Sequence, residues 1–363
     1  MSGTRSGEEP MTLLYSEIEE ELRSAVRGLL ADRCPPAVVL RRIEPGTDPA
    51  DSVYDLDLWK TLAGEIGVAG LLVPEEFGGA GAGASEVAVV LEELGRGVAP
   101  VPFFTSSVLA TRALLPTGDA LLGELAEGTE TAALAVSFAA SPYAPSRGAS
   151  VTVADGRLSG TVTGVAGAEV ADVLLVPVAG ELYAVDGAQV TVAPSLDLTR
   201  PVATVTLDRA PARLVGACDV AEVLRFGAGL LASEQLGVAE WCLDTTLAYV
   251  RERHQFARPI GSFQSIKHRL ADLWLDVVRA RAAARNAAGD PSPISVAVAQ
   301  SWNAGVALHA AEEALQLHGG IGMTWEHPVH LYLKRAKATE IALGTPGDHR
   351  QALASLVGVP GPE

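Results

Sequence analysis

The sequence predicts a three-part α+β protein. It has a helical N-terminal domain over residues 1–130, an antiparallel β domain over 131–215 and a helical bundle over 216–363. Three observations lead there. Apolar residues first recur at helical spacing, then give way to short Val-rich runs, then return to helical spacing over much longer stretches. Helices, then strands, then helices is not the alternation of a doubly wound sheet. A length of 363 residues fits two to three domains.

Ser16 to Leu30 carries a stripe of Ile18, Leu22, Val26, Leu29 and Leu30, and Asp55 to Ile66 and Ser85 to Leu94 read as helices likewise. The link Val73 to Gly83 is glycine-rich but lacks GxGxxG order, and it reads as a helix-connecting loop. Strands are expected over Ala132–Val136, Ser150–Ala154, Val173–Val178, Leu182–Val185, Gln189–Val192 and Ala203–Leu207, with a turn at Asp155-Gly156. Val220 to Arg253 is one long helix or two; Ser265–Ala288, Ile294–Leu317 and Pro328–Leu343 complete a four-helix bundle. Asp290-Pro-Ser-Pro293 breaks the second from the third.

Composition excludes several classes of function. Acidic residues outnumber basic ones 44 to 27, for a net charge of −17, and no Lys/Arg block tracks a phosphate backbone, so nucleic acid is not expected as a partner. No apolar run reaches the roughly 18 residues that span a bilayer, so no membrane insertion is expected. The acidic start, with Glu8, Glu9, Glu17, Glu19 and Glu20, lacks a signal peptide's basic end and apolar run. Cys34, Cys218 and Cys242 form no close pair, and a cytoplasmic location fits this usage. His318, His327 and His330 come without an acidic cluster or HExxH, so no metal site is expected.

Two segments carry chemistry. Arg251-Glu-Arg253-His-Gln255-Phe256-Ala-Arg258-Pro259-Ile260-Gly261-Ser-Phe263-Gln264 ends the first bundle helix. Its arginines read either as charges favourable at a helix C-terminus or as forks for phosphate oxygens. Gln316-Leu-His-Gly319-Gly320-Ile-Gly322 reads either as an inter-helix turn or as backbone left bare for close approach to phosphate.

Together these segments resemble the acyl-CoA dehydrogenase family. Arg251 to Asp272 is similar to the family's R-x-Q-F-G-x-P-I-x-x-F-Q segment, with Ala257 in place of the usual glycine. Leu71 to Gly79 and Glu92-Glu-Leu-Gly95 resemble its N-terminal domain, and Gln316 to Gly322 its FAD loop. The likeness runs from about residue 55 to 350. It implies FAD as cofactor. Arg253, Gln255, Phe256 and Phe263, with Gln316, Gly319 and Gly320, would contact the ADP and pyrophosphate portion bound by a neighbouring subunit.

The catalytic half of the pattern is missing. The family removes an α-proton with a carboxylate. One group carries that glutamate just before the Gly-Thr after the glycine loop, where this chain has Leu343; another carries it on the helix leading to the arginine motif, near Gly227 here. Glu222 and Glu234 are the nearest acids, Glu234 being the one substitute base to test, and Glu340 reads as a solvated or paired charge. The stretches Ala135–Pro142 and Thr163–Asp172 lack the tryptophan and most polar groups that hold the flavin ring in the family, though Ser137 remains.

The resemblance therefore implies the base-lacking subunit of an α2β2 acyl-CoA dehydrogenase, of the kind acting on sterol side chains. A second acyl-CoA dehydrogenase-like subunit would supply the glutamate and bind most of the acyl-CoA. Two other readings stay open: a homomeric dehydrogenase using Glu234, and a flavin-free structural or binding homologue.

Overall fold

The structure, a computed structural model, describes residues 13–44 and 53–359. Glu8 and Glu9, and the outermost residues of the first and last expected domains, lie outside the described residues.

The N-terminal part holds α1 (Glu17–Arg33), α2 (Pro36–Arg42), α3 (Leu56–Thr61), α4 (Ala84–Gly97), α5 (Thr111–Leu114) and α6 (Leu121–Glu127). Ser16 and Glu19 form a capping box that starts α1. The helix expected to run to Ile66 widens into a π turn after Thr61, and Gly67, at φ 79°, ends it. The Val73–Gly83 link is a loop with one short 3-10 turn.

The middle part holds eight strands: β1 (Ala132–Leu134), β2 (Ala149–Ala154), β3 (Arg157–Ala166), β4 (Val173–Val178), β5 (Glu181–Val185), β6 (Gln189–Val192), β7 (Val202–Pro211) and β8 (Arg213–Ala217). They form two sheets, ordered β1-β4-β5-β8 and β2-β3-β7-β6. Asp155 and Gly156, at φ 50° and 68°, make the two-residue turn between β2 and β3. One pairing departs from the antiparallel expectation. β1 runs parallel to β4, because the chain between them crosses to the other sheet to form β2 and β3. Along β4 and β5, Leu174, Val176 and Tyr183 face the second sheet, while Leu175, Leu182 and Ala184 face the helices. This burial on both sides explains the unbroken apolar run Val173–Val176.

The last part holds α7 (Val220–Glu252), the two-residue strands β9 (His254–Gln255) and β10 (Arg258–Pro259), α8 (Gln264–Gly289), α9 (Pro293–His318), α10 (Val329–Ile341) and α11 (Pro346–Leu356). α7 is a single helix of 33 residues. It crosses α4 at two glycines: a Cβ on Gly237 would lie 1.9 Å from the Glu92 carbonyl oxygen, and one on Gly95 would lie 2.2 Å from that of Glu234. Only hydrogen side chains allow so close a crossing. No described helix is long and apolar enough to cross a membrane.

Four buried charges join the parts. Arg200 donates to both carboxylate oxygens of Glu234 on α7, one of them at 2.9 Å. Arg335 on α10 donates to Glu234 at 3.2 Å, to Thr199 at 2.6 Å and to Asp197. Asp197, Thr199 and Arg200 lie on the segment between β6 and β7. Burial alone would raise the Asp197 and Glu234 carboxyls; the facing guanidiniums override it and hold both below the usual carboxylate range. The stabilisation from such depressed groups is complete above their unfolded values of about 4 and is lost as pH falls through the lower folded values. Arg335→Met would leave buried carboxylates short of a partner. Its urea unfolding midpoint at pH 7 is expected to fall, for a loss of about 3–5 kcal/mol.

A third acid, by contrast, buries its carboxylate oxygens without a hydrogen-bond partner among the described residues. Glu169, on the β3–β4 loop, has both carboxylate oxygens buried and unbonded among the described residues, and its charge acts on Tyr54. Burial pushes its carboxyl up to about 7. The unfolded chain loses this proton near pH 4.5 and the folded chain keeps it to about 7, so the group costs stability as pH rises across that window. Melting curves of Glu169→Gln and the parent are expected to agree near pH 4.5, with the variant melting progressively higher up to pH 7 and by a constant margin above it.

Candidate functional site

The C-terminal end of α7 is built to project a hairpin. Arg253 leaves the helix at ψ 119°, and β9 and β10 pair Gln255 with Arg258. Phe256 and Ala257 form the tip at φ 53° and 59°, the left-handed pair of a tight hairpin turn. Left-handed backbone costs an ordinary residue about 1 kcal/mol. Phe256 is 87% exposed at this tip. Phe263 supports it edge-on at a ring separation of 6.2 Å, and the Arg258 guanidinium lies 3.9 Å above Phe263. Arg253 and Gln255 are exposed, and their side chains have no partner among the described residues.

The glycine loop stands beside this hairpin. Tyr249, four residues before Arg253, stacks on His318 at 4.5 Å and donates to the His318 carbonyl at 3.3 Å. This contact brings the ends of α7 and α9 together. Burial lowers the His318 imidazole, so it stacks as a neutral ring. Gly319, at φ 63° and ψ −139°, occupies a backbone region open essentially to glycine alone. Gly320 is exposed, needs no such conformation, and a Cβ placed on it would meet nothing within 4 Å. Gln316 is exposed on the last turn of α9. Guanidinium and amide donors beside bare glycine backbone fit a dinucleotide phosphate approaching from outside the chain.

At the other end of α7 the two expected base positions meet. A Cβ on Gly227 would lie 3.1 Å from Leu343 Cδ1 and 2.4 Å from Leu109 Cδ2. No acidic side chain fits at Gly227 without moving that leucine pair. Leu343 itself is fully buried at φ 53°. Its N–H donates to the Phe138 carbonyl at 2.9 Å, and its carbonyl accepts from His349 Nε2 at 3.0 Å. His349 Nδ1 then accepts from the Tyr143 hydroxyl at 3.1 Å, a tautomer assigned from these partners. Burial holds His349 below its usual value and hence neutral.

The remaining acids are engaged elsewhere. Glu234 is fully buried between Arg200 and Arg335. Glu222 pairs with Arg112 at 2.7 Å, and Glu340 with Lys337 at 2.5 Å. Sequence reasoning missed the Tyr143–His349–Leu343 chain and the unpartnered Glu169. His349 and Tyr143 lie 206 residues apart, and no local spacing announces them. An acid set in Val165-Ala-Gly-Ala-Glu169-Val was the available signal for Glu169.

Residues 16–121 match the family model described as acyl-CoA dehydrogenase, N-terminal domain, and residues 216–357 match that of the C-terminal domain. A Mycolicibacterium smegmatis protein, acyl-CoA dehydrogenase IpdE2, is 35% identical over 94% of this chain and 99% of its own. A chain of the ChsE4-ChsE5 complex from Mycobacterium tuberculosis superposes with a TM-score of 0.83 at 30% identity, covering 97% of this chain and all of that one. A chain of a variant of the Tcur3481-Tcur3483 steroid ACAD gives 0.82 at 31%, covering 94% of this chain and 98% of that one. On this extent of likeness across both helical regions, the chain belongs to the acyl-CoA dehydrogenase family.

Proposed function

We propose that this chain is the base-lacking subunit of a heteromeric, FAD-dependent acyl-CoA dehydrogenase. It would contribute the pyrophosphate half of a cofactor site whose catalytic glutamate belongs to a second, unlike subunit. The contact between Gly227 and Leu343 carries the reading. Both places where the family keeps its base fall at one point, and that point is filled with leucine.

Distance along α7 supports the sharing. Arg253 follows Gly227 by 26 residues on one continuous helix, which puts them about 39 Å apart along the axis. A dinucleotide held by Arg253 therefore serves a reaction centre outside this chain's own closed end. In that arrangement Arg253 and Gln255 would bind phosphate oxygens, the Gly319-Gly320 backbone would lie against the same group, and Phe256 would exclude water beside it. The flavin, when bound, supplies the hydride acceptor for α,β-desaturation. The relatives described as a steroid dehydrogenase and as a two-protein complex favour a bulky, steroid-type acyl-CoA as the substrate and an α2β2 assembly.

The homomeric alternative with Glu234 as base is disfavoured by geometry. Freeing Glu234 would strip Arg200, and in part Arg335, of a buried counter-charge.

The direct test is flavin absorbance of the purified chain alone and co-expressed with an unlike acyl-CoA dehydrogenase subunit. Colourless alone and yellow together, near one FAD per unlike pair, is the expected result. A yellow chain that acyl-CoA reduces unaided would overturn the reading. Arg253→Ala is expected to weaken FAD retention in the pair by about 10–100-fold, the range for losing a charge-assisted hydrogen bond. Gly320→Val separates cofactor approach from folding. Nothing in this chain opposes the added side chain, so the melting temperature of the lone chain should hold while the pair loses flavin.

A further inference from the structure

Beside the hairpin runs a groove that the phosphate-binding residues do not explain. It holds about 480 Å³ between the last turns of α7 and the first of α8. Leu247, Val250, Leu270 and Trp274 line it, together with the cations Arg251 and Lys267. Gly261 closes one end, where a Cβ would lie 2.9 Å from the Val250 carbonyl oxygen, so the chain there is held tight against α7. Trp274 is 55% exposed.

The two cations are the informative part. In a chain of net charge −17, two arginines further along α8 find carboxylates, Arg269 with Glu313 and Arg281 with Glu240, each at 2.7 Å, whereas Arg253 on the adjoining hairpin does not. Arg251 and Lys267 pair with none among the described residues. Among the described residues no carboxylate lines the groove, so their charge is open to another molecule. An apolar lining that also carries two free cations fits a large apolar side chain with a carboxylate close by in sequence.

We propose that this groove seats an acidic, apolar-tipped segment of the unlike subunit, as a docking site separate from the cofactor contacts. It rests on the heteromeric reading above, since the groove adjoins the hairpin assigned to that subunit. The groove would set how tightly the pair assembles, while Arg253 and Gly320 set whether the assembled pair keeps flavin.

The test compares the full chain with the Arg251→Glu/Lys267→Glu double variant and with Trp274→Ala, each titrated with the unlike subunit at low and high salt. The charge-reversed variant is expected to bind about tenfold or more weaker at low salt and to lose most of the salt dependence. Trp274→Ala should weaken binding at both salts. Flavin per assembled pair should match the parent at saturating subunit. All three side chains lie at the surface, so unchanged melting of the lone chain separates docking from folding. A heteromer that forms and keeps flavin but ignores these variants would overturn the groove alone. Weakened self-association with an unaffected heteromer would assign the groove to a second copy and overturn it too. Absence of any heteromer would remove both readings.

Discussion

The buried ring of Asp197, Arg200, Glu234 and Arg335 is the constraint on which the rest of the molecule hangs. It joins the β6–β7 segment, the middle of α7 and the middle of α10, three places that only the fold brings together. Buried charges are costly unless every one is answered, and here two acids answer two arginines. α10 is thereby fixed against α7, and the turn that follows α10 is delivered to Gly227. The same ring occupies Glu234, the acid on α7 that the sequence offered as a substitute base. One interaction thus joins three parts of the fold and engages one of the two acids nearest along the chain to the expected base position at Gly227.

α7 itself divides the protein's roles. Its first turns are packed by leucine at Gly227, a base position expected from the family resemblance, and its last turn opens onto unpartnered donors and a projecting aromatic. Such asymmetry does not follow from general decay of a site. Gly319 and Gly320 lie bare beside Gln316 while Tyr249 and His318 lock the two helix ends together. The Leu343 turn is also still held on both sides, by the Phe138 carbonyl and by His349, in a left-handed conformation that leucine adopts only under constraint.

Much of this was legible because it is local. The period of α1, α4 and α7 to α10 could be read directly, as could the Asp155-Gly156 turn and the arginine and glycine segments. What escaped depends on distance or on glycine. β3 is not among the expected strands, and Gly160 and Gly164 interrupt its apolar pattern, yet Gly160 is there so that β2 can pass: a Cβ would lie 1.9 Å from the Ser150 carbonyl oxygen. β8 is short and follows Pro211, and α11 begins at Pro346, beyond the last helix that the periodicity marks. Arg335 and Asp197 are 138 residues apart, so no window of sequence contains their pairing. Likewise Gly227 and Leu343 could each be marked as expected base positions, but only the fold shows that the two touch.

The hairpin tip is where the isolated chain is least at ease. Phe256 offers an apolar ring to water, and Phe256 and Ala257 both hold left-handed backbone that glycine would adopt without strain. Neither feature stabilises the chain on its own, since Phe263 and Arg258 support only one edge of the projecting ring. Exposed aromatics and strained turns persist where a contact outside the chain offsets them. The tip shares its end of the bundle with Arg253 and with the glycine loop. The surface that is unfavourable alone is therefore the surface with unpartnered guanidinium and amide donors, as the proposed half-site requires.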